Sequence, residues 1–535
     1  MLQRATIVSR YRSVRPGITT EAKLVSSAAL DSASGGELTQ APRVRAARYR
    51  DPMTTIDPAV AVADAAHRAT AAWRDAVVPF LMAFGTIPDL SPAYDHEWEA
   101  NGEMTRAAEL MADWARTRDL PGATVEVVRI PGLTPTVLVD VPASDPGATG
   151  TVVVYGHYDK QPPFTGWSEG RGPWTPTLEG DRLYGRGVAD DGYALPSALV
   201  ALEAVRAAGG RHARCVVLAE GSEESGSPHL RQVLAALDDR IGTPDLVLAL
   251  DSSAATDERL WVTTSLRGAL MGELTVRVLD HGIHSGSAGA VVPSSFRIAR
   301  LLLDRIEDAA TGDLLLPELV TDPPEWAEAA AVRMDRALAE AGSDEPPFPT
   351  VGGLTLQGAT RVEQSMRRSW LGSVAVVGAD GLPASIEAGA VLRPFTTLKL
   401  AIRLPPTVDA EVAGAAVARA FTTDTPYGAE VTWEPELAAG GWAAPAFAPW
   451  LSGALDHASE AAFGNPAGLA GEGGTIPFLG WLAERFPDAQ LLALGVLVPG
   501  SNHHGPDESL HLPTAERVIG GVAALLAAHG ARTGG

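Results

Sequence analysis

The 535-residue chain carries 65 acidic and 42 basic residues, a formal net charge of −23, and 46% of its residues are hydrophobic. This composition is typical of a globular protein, and the length is enough for two or three domains. An acidic surface repels a phosphate backbone, so nucleic acid is not an expected partner. No apolar run approaches the roughly 20 residues that span a bilayer, so we expect no membrane association either.

Cysteine use restricts both the location and the chemistry. The single cysteine, Cys215, excludes an internal disulfide and any zinc site built from cysteines. Any bound metal must therefore be held by histidine and carboxylate side chains. A lone cysteine suits a reducing compartment, and the N-terminus lacks the apolar block of a secretory signal. We predict a cytoplasmic protein.

Residues 1–52 differ from the rest of the chain, because they are rich in arginine and serine and have no sustained hydrophobic period. We predict a disordered extension. A transit peptide has a similar composition, but we favour sequence lying upstream of the true start, since Met53 directly precedes a helix-like opening. From Pro58 to about Asp119 the apolar spacing predicts two helices.

Short apolar runs bounded by glycine and proline come next. They lie at 151–156, 215–219, 246–250 and 491–498, and such runs are typical of buried parallel strands. Residues 194–208 between the first two runs have the pattern of an amphipathic helix that ends at a glycine pair. The order of strands and helices predicts an α/β fold with a mixed, largely parallel sheet flanked by helices.

The pattern changes near Thr263, where apolar residues begin to alternate with polar ones, as they do again at 398–404. With helical segments at 294–306 and 409–421, the order becomes β-α-β-β-α-β. We therefore expect an inserted ferredoxin-like α+β domain at 263–439. The catalytic domain would be discontinuous, formed by 53–262 and 440–535. A proline-rich stretch at 317–349 lengthens the insert and has no predicted role.

Acids and histidines follow the predicted parallel strands. They occur in His157-Tyr158-Asp159, in Glu220 to Glu224, at Asp251 and at His503-His504. Because the carboxyl ends of parallel strands meet at one sheet edge, these side chains should converge. Asp190 joins them from a glycine-rich turn before the helix. Burying so many carboxylates is unfavourable unless cations compensate them.

The donor set suits zinc, which accepts imidazole nitrogen and carboxylate oxygen. Two ions match the charge of three ligand carboxylates better than one, and a shared carboxylate could bridge them. Manganese or cobalt would accept the same ligands. Asp159 could fix the tautomer of His157, and one of Glu223 and Glu224 could ligate while the other acts as general base.

These motifs resemble metallopeptidase family 20, which includes carnosinase-like cytosolic dipeptidases, aminoacylases, acetylornithine deacetylase and succinyl-diaminopimelate desuccinylase. The resemblance covers about residues 60–530 and rests on GHYD (156–159), YGRGVADD (184–191), EGSEESGS (220–227), EGGTIP (472–477) and HHGPDE (503–508). It implies a catalytic domain of the two-zinc aminopeptidase type with an inserted lid or dimerisation domain.

The resemblance also implies roles for the metal-site residues. It assigns the ligands as two pairs around one bridging acid: His157 with Asp251, Glu224 with His504, and Asp190 between them. Glu223 becomes the general base. His504 is preferred to His503 because the histidine of the family lies four residues before a glutamate, here Glu508.

Further residues would contact substrate. His284 resembles a histidine that, in dimeric relatives, reaches the partner subunit's site and stabilises the oxyanion. Arg403 resembles the arginine that binds a substrate carboxylate. A loop of Glu472, Gly473 and Thr475 would contact the substrate amine. One departure is the sequence Asp190-Asp191-Gly192, where relatives often carry a lysine after the paired acids.

The expected activity is hydrolysis of a dipeptide or similar small peptide by a homodimer with two zinc ions per subunit. The alternative is an N-acyl-amino-acid amidohydrolase, a deacetylase or desuccinylase with the same machinery. A more remote alternative is a non-catalytic binding protein of the same fold, which would have lost the base or a ligand. The intact set of predicted ligands and base disfavours it.

Overall fold

The computed structural model describes residues 58–342, 348, 350–474 and 477–532. The predicted disorder of residues 1–52 lies outside the described residues, as does Thr475. The helices are α1 (Pro58–Phe84), α2 (Trp98–Asn101), α3 (Glu103–Arg116), α4 (Ala194–Ala207), α5 (Leu230–Ala236), α6 (Asp238–Ile241), α7 (Ser285–Ala288), α8 (Ser295–Leu303), α9 (Glu325–Glu340), α10 (Arg361–Trp370), α11 (Ala410–Thr422), α12 (Pro449–Phe463), α13 (Pro477–Arg485) and α14 (Leu512–Ala531). No helix in this part of the chain is long and apolar enough to cross a bilayer.

The strands are β1 (Thr124–Val128), β2 (Thr136–Val141), β3 (Thr151–His157), β4 (Thr177–Glu179), β5 (Arg182–Tyr184), β6 (Arg214–Glu220), β7 (Leu246–Ala249), β8 (Trp261–Leu266), β9 (Gly268–Arg277), β10 (Ile283–His284), β11 (Ser373–Asp380), β12 (Val391–Leu392), β13 (Phe395–Leu404), β14 (Glu430–Ala439), β15 (Trp442–Ala443), β16 (Gly468–Glu472), β17 (Gln490–Ala493) and β18 (Ser509–His511).

Within the described residues, nine strands form a large sheet in the order β1-β2-β6-β3-β7-β17-β8-β15, with β16 pairing to β8. Its centre, β6-β3-β7-β17, is parallel, whereas β2 joins β6 and β17 joins β8 in antiparallel fashion. The predicted mixed α/β fold is confirmed. The last apolar run is strand only to Ala493, and the chain after it forms a loop.

Both faces of the large sheet are buried, which explains the unbroken apolar runs of its central strands. Along β3, Val152 and Val154 belong to the core shared with α1, α4 and α14. Val153 and Tyr155 belong to a second core on the other face, where the Tyr155 ring stacks on Phe478 of α13 with ring centroids 4.1 Å apart. The helices therefore hold the carboxyl ends of the strands in a fixed place.

A second, small sheet is antiparallel throughout, in the order β11-β13-β9-β14. Leu274 of β9 and Leu400 and Ile402 of β13 are buried against Ile298 of α8 and Val417 of α11. The chain order β9-α8-β11-β13-α11-β14 is the order expected for a ferredoxin-like unit. We propose that these elements are the inserted domain, and its dimerisation role stays a prediction.

The domain boundaries drawn from sequence differ from the structure in two places. Strand β8 continues to Leu266 in the large sheet, so the boundary at 263 falls inside a strand, and the chain passes to the small sheet at Arg267. Helix α9, within the stretch 317–349, packs with β16, and Met334 shares a core with Trp261. This part of the insert covers the large sheet because α9 has an apolar face of alanines and Met334.

Candidate active site

Five segments bring acids and histidines to one edge of the large sheet. Strand β3 ends at His157, and β6 ends three residues before the 3-10 turn Glu223–Ser225. Asp251 follows the end of β7 by two residues. Since these strands are parallel, their ends lie together. His504 comes from the loop after β17, and Asp190 from the turn before α4.

Asp190 lies at the centre of this cluster. Its Oδ1 is 3.3 Å from His157 Nε2, and its Oδ2 is 3.0 Å from His504 Nε2. His504 Nε2 is also 3.2 Å from Glu224 Oε2, and His157 Nε2 is 3.9 Å from Asp251 Oδ2. The structure therefore brings all five predicted ligands together, with one carboxylate oxygen of Asp190 toward each imidazole.

The donor atoms form two groups in which all members lie within 4.8 Å of one another. One is His157, Glu223 and Asp251, and the other is His157, Asp190 and Glu224. Every donor is an imidazole nitrogen or a carboxylate oxygen, which is the chemistry that zinc and similar divalent ions accept. Glu223, the predicted base, lies on the side of His157 and Asp251.

The pKa shifts within the cluster indicate that its buried carboxylates need compensating positive charge. Burial raises the pKa of Asp251 to about 7, and burial together with Asp251 raises the pKa of Glu223 well above its usual range. Burial lowers the pKa of His504, but hydrogen bonds with Asp190 and Glu224 outweigh it and raise that pKa to about 11. The cluster thus gathers protons to balance its carboxylates, and divalent cations would replace them. The residues fit a centre that holds divalent metal.

Asp159 positions more than one neighbour. His157 Nδ1 lies 3.1 Å from the backbone oxygen of Asp159 and 3.5 Å from its Oδ1, so both groups can hold the ring. The Asp159 carboxylate also accepts hydrogen bonds from the backbone nitrogens of Glu223 and Glu224, each at 3.0 Å. Asp159 therefore links the predicted ligand on β3 to the predicted base and ligand after β6.

Gln161 was not predicted. Its Nε2 donates a hydrogen bond to Glu224 Oε2 at 2.6 Å, and its side chain lines the cavity described below. Gln161 lies two residues beyond Asp159, the last residue of the GHYD segment. Because side chains two residues apart in an extended chain point to the same side, this spacing could have identified Gln161. Gln161 and His504 thus contact the same carboxylate oxygen of Glu224, and both can orient this candidate ligand.

A buried ion pair connects the two loops that supply Asp190 and His504. Arg186 Nη1 lies 2.5 Å from Glu508 Oε2, and Gly187 donates its backbone N–H to Glu508 Oε1 at 2.8 Å. Arg186 Nη2 donates to the backbone oxygen of Gly505 at 2.9 Å. His504 has a φ of +60°, which is unfavourable for a residue with a side chain. These contacts hold that conformation.

Gly192, which follows the paired acids, is closely enclosed by its neighbours. A Cβ at Gly192 would lie 2.3 Å from Cε1 of Phe84 and 2.7 Å from the backbone oxygen of Gly187. Position 192 therefore has no room for a side chain. A different lysine, Lys160, is buried nearby, with its Nζ 3.8 Å from the Phe84 ring centroid and 2.7 Å from Asp89 Oδ1.

A cavity of about 660 Å³ lies above the cluster. Its walls include Arg403 from β13, Glu472 at the end of β16 and Gly474 after it, and its floor is formed by acids and histidines, namely Asp190, Glu223, Glu224, Asp251, His503 and His504. Two predicted substrate-binding residues, Arg403 and Glu472, thus reach the same space as the predicted ligands. Gly473 lies between the two loop residues and accepts a hydrogen bond from Arg267 Nε through its backbone oxygen at 3.3 Å.

His284 is placed differently. It pairs with Val391 in a two-stranded sheet, is exposed to solvent, and is not one of the cavity-lining residues in the described part of the chain. A histidine that serves the partner subunit's site must lie outside the cavity of its own subunit, as His284 does. This role of His284 stays a prediction.

Residues 153–528 match the family described as Peptidase family M20/M25/M40. The chain belongs to this peptidase family. The resemblance inferred from the motifs is confirmed, and so is the expectation of a metallopeptidase. The M20 match includes every predicted metal ligand and the predicted base.

Individual M20 relatives extend the comparison. The chain is 26% identical over 397 residues to the cysteinylglycine-S-conjugate dipeptidase of Corynebacterium striatum, which is 72% of this chain and 82% of the relative. The solved structure of the dipeptidase Dug1p from Saccharomyces cerevisiae matches with a TM-score of 0.66 and 21% identity, over 88% of this chain and 99% of that one. Human carnosine dipeptidase 1 matches with a TM-score of 0.65 and 21% identity, over 88% and 98%. These two structures have the same fold as this M20 chain.

Proposed function

We propose that this M20 metallopeptidase hydrolyses the peptide bond of dipeptides, with two metal ions held by His157, Asp190, Glu224, Asp251 and His504. The observation that carries the proposal is a single cavity that joins this cluster to Arg403 and Glu472. A cation-binding floor beside one basic and one acidic wall residue suits a small substrate with both termini free. The dipeptidases among the relatives support the same class of substrate.

The chemistry that two divalent cations supply at such a centre is polarisation of the scissile carbonyl and a lowered pKa for the attacking water. We propose zinc as the metal, while manganese and cobalt would accept the same ligands. Glu223 lines the cavity beside Asp251 and serves as general base. It takes the proton of the attacking water and returns it to the leaving amine.

Arg403 and Glu472 would read the two ends of the substrate. The Arg403 guanidinium provides a bidentate clamp for the terminal carboxylate. Burial raises the pKa of Glu472, and the Arg368 guanidinium offsets part of that rise. A substrate ammonium group next to Glu472 would compensate the buried acid. An N-acyl amino acid lacks that group, which favours a dipeptide over the alternative acylated substrate.

A substrate panel tests this assignment. We expect kcat/KM for Ala-Ala to exceed that for N-acetyl-alanine and N-succinyl-alanine, because only the dipeptide has a free amine. Glu472→Gln should reduce this preference while leaving the metal content unchanged, since Glu472 is not a proposed ligand. Hydrolysis of the acylated substrates alone would contradict the dipeptidase assignment and support the amidohydrolase.

A homodimer formed through the inserted domain is also proposed. Strand β11 is an edge of the small sheet, and its Val376 and Val377 side chains are 50% and 56% exposed. An open edge with exposed apolar residues is a typical surface for strand pairing between subunits. The exposed position of His284, outside its own cavity, fits a contribution to the partner's site. A cytoplasmic location stays a prediction from composition.

Subunit mixing tests the dimer and the role of His284 together. Glu223→Gln and His284→Ala subunits should each be nearly inactive alone. In a random mixture, half of the dimers carry one site with both residues intact, so about a quarter of wild-type activity should return. Ultracentrifugation measures the dimer in parallel. A monomer with full activity, or no recovery on mixing, would refute the exchange of His284 between subunits.

A further inference from the structure

The roof of the cavity is one face of the small sheet. In β13, Leu400 and Ile402 are fully buried in the core with α8 and α11. Because successive side chains alternate between faces, Ala401 and Arg403 lie on the opposite face. Both of these residues line the cavity. The face away from the core of the small sheet therefore lies over the cluster of acids and histidines.

Strand register organises this roof into two rows. The row that we call the arginine row consists of Arg403, Ala269 and Ala439, and the row that we call the methionine row consists of Ala401, Met271 and Leu437. All six line the cavity. The next row on the same face is charged, with Lys399 opposite Glu273, and neither of these two lines the cavity in the described part of the chain.

The methionine row contains no charged or hydrogen-bonding side chain. Rows on one face are two residues apart along a strand, or about 6.8 Å. The side chain of a residue whose carboxylate is bound at Arg403 therefore has Met271 and Leu437 within reach. A polar side chain there would find no hydrogen-bonding partner in the row, whereas an apolar one would gain contact with a thioether and methyl groups.

We propose that the methionine row selects substrates whose C-terminal residue has an apolar side chain, with Met271 and Leu437 as the specificity-determining residues. This inference rests on the proposed function, because it uses Arg403 as the carboxylate site. The chemical class is a dipeptide ending in a leucine-like residue. Asparagine, which has nearly the same shape as leucine, should be disfavoured by at least about 10-fold in kcat/KM.

The experiment compares Ala-Leu with Ala-Asn, so that shape is matched and polarity changes. We expect Met271→Gln and Leu437→Asn each to lower the Leu/Asn ratio of kcat/KM by about 10-fold. Glu273→Gln is the matched control, because it lies on the same strand and face, one row beyond the cavity. It should keep the wild-type ratio. Leu437 is 44% exposed, so Leu437→Asn should fold even if Met271→Gln does not.

Two further measurements separate this inference from the proposed function. Hydrolysis of N-acetyl-leucine and N-acetyl-asparagine releases leucine and asparagine, as hydrolysis of the two dipeptides does. The methionine row should therefore favour the leucine substrate even if the enzyme is an amidohydrolase. Calorimetric binding of free leucine and asparagine to the metal-loaded protein needs no turnover. If neither substrate series is hydrolysed, the proposed function fails. Tighter binding of leucine than of asparagine would still support selection of an apolar side chain by the methionine row. A Leu/Asn ratio near one, or a ratio that neither roof variant changes, would overturn the inference.

Discussion

Glu508→Gln tests whether the loop carrying His504 depends on the turn carrying Asp190. The side chains of Arg186 and Glu508 are each 1% exposed and form an ion pair at 2.5 Å. Glutamine keeps the size of the side chain and can still accept the hydrogen bond from the Gly187 nitrogen. It removes the negative charge, however, and leaves the guanidinium of Arg186 buried against a neutral amide.

The expected loss is large because the pair is buried. Removing one partner of such a pair costs up to about 3–5 kcal/mol of unfolding free energy, and burial of the Glu508 charge, which raises its pKa, lowers this cost for a neutral amide. Metal affinity should fall about 10–100-fold, since the loop that orients His504 is no longer held. Burial raises the pKa of Glu508 to about 7, although the Arg186 guanidinium opposes that rise. Measurements at pH 8 therefore compare an ionised carboxylate with the amide.

Two assays and two controls complete the test. Urea unfolding of the metal-free protein measures stability, and competition with a chelator measures metal affinity. Glu436→Gln breaks the exposed pair with Lys399 and should leave the stability nearly unchanged, because solvent screens this pair. The double variant Arg186→Met, Glu508→Leu should recover stability without recovering metal affinity, because the bonds to Gly187 and Gly505 are still missing. A Glu508→Gln protein within 1 kcal/mol of wild type, with unchanged metal affinity, would refute this reasoning.

Three more predictions follow from the site and the fold. Glu223→Gln should lower kcat by about 10²–10⁴-fold with unchanged metal content by mass spectrometry; sustained turnover would exclude it as the base. Arg403→Lys should raise KM for dipeptides by about 10-fold, because a single ammonium cannot form the bidentate clamp; an unchanged KM would argue against carboxylate binding. Burial raises the pKa of Asp245, but hydrogen bonds from His529 and Arg532 outweigh it and hold that pKa below its ordinary value. The carboxylate therefore stabilises the fold above about pH 4, and this contribution is lost as the pH falls. Asp245→Asn should cost about 1 kcal/mol at pH 7 in urea unfolding of the metal-free protein, with the difference shrinking steadily as the pH falls below about 4; a difference that stays constant below pH 4 would contradict the linkage.

The amino-acid sequence alone was enough to predict the fold class and the convergence of the ligand candidates. Unbroken apolar runs such as 151–156 indicate strands buried on both faces, and His157 and Asp251 follow directly after two of them. Parallel strands bring their carboxyl ends to one edge whatever the loops between them do. That rule made the grouping of His157, Glu224 and Asp251 predictable without any knowledge of the packing.

Tertiary packing decided the rest. Only the structure shows that Gln161 orients Glu224, that Phe84 leaves no room for a side chain at position 192, and that α9 covers the large sheet. The structure was also needed to show that Met271 lies beside Leu437 in the roof of the cavity, because this pairing depends on a strand register that includes a bulge after Pro435. Such contacts join residues far apart in the chain. They depend on strand register and helix packing, which local hydrophobic patterns do not specify.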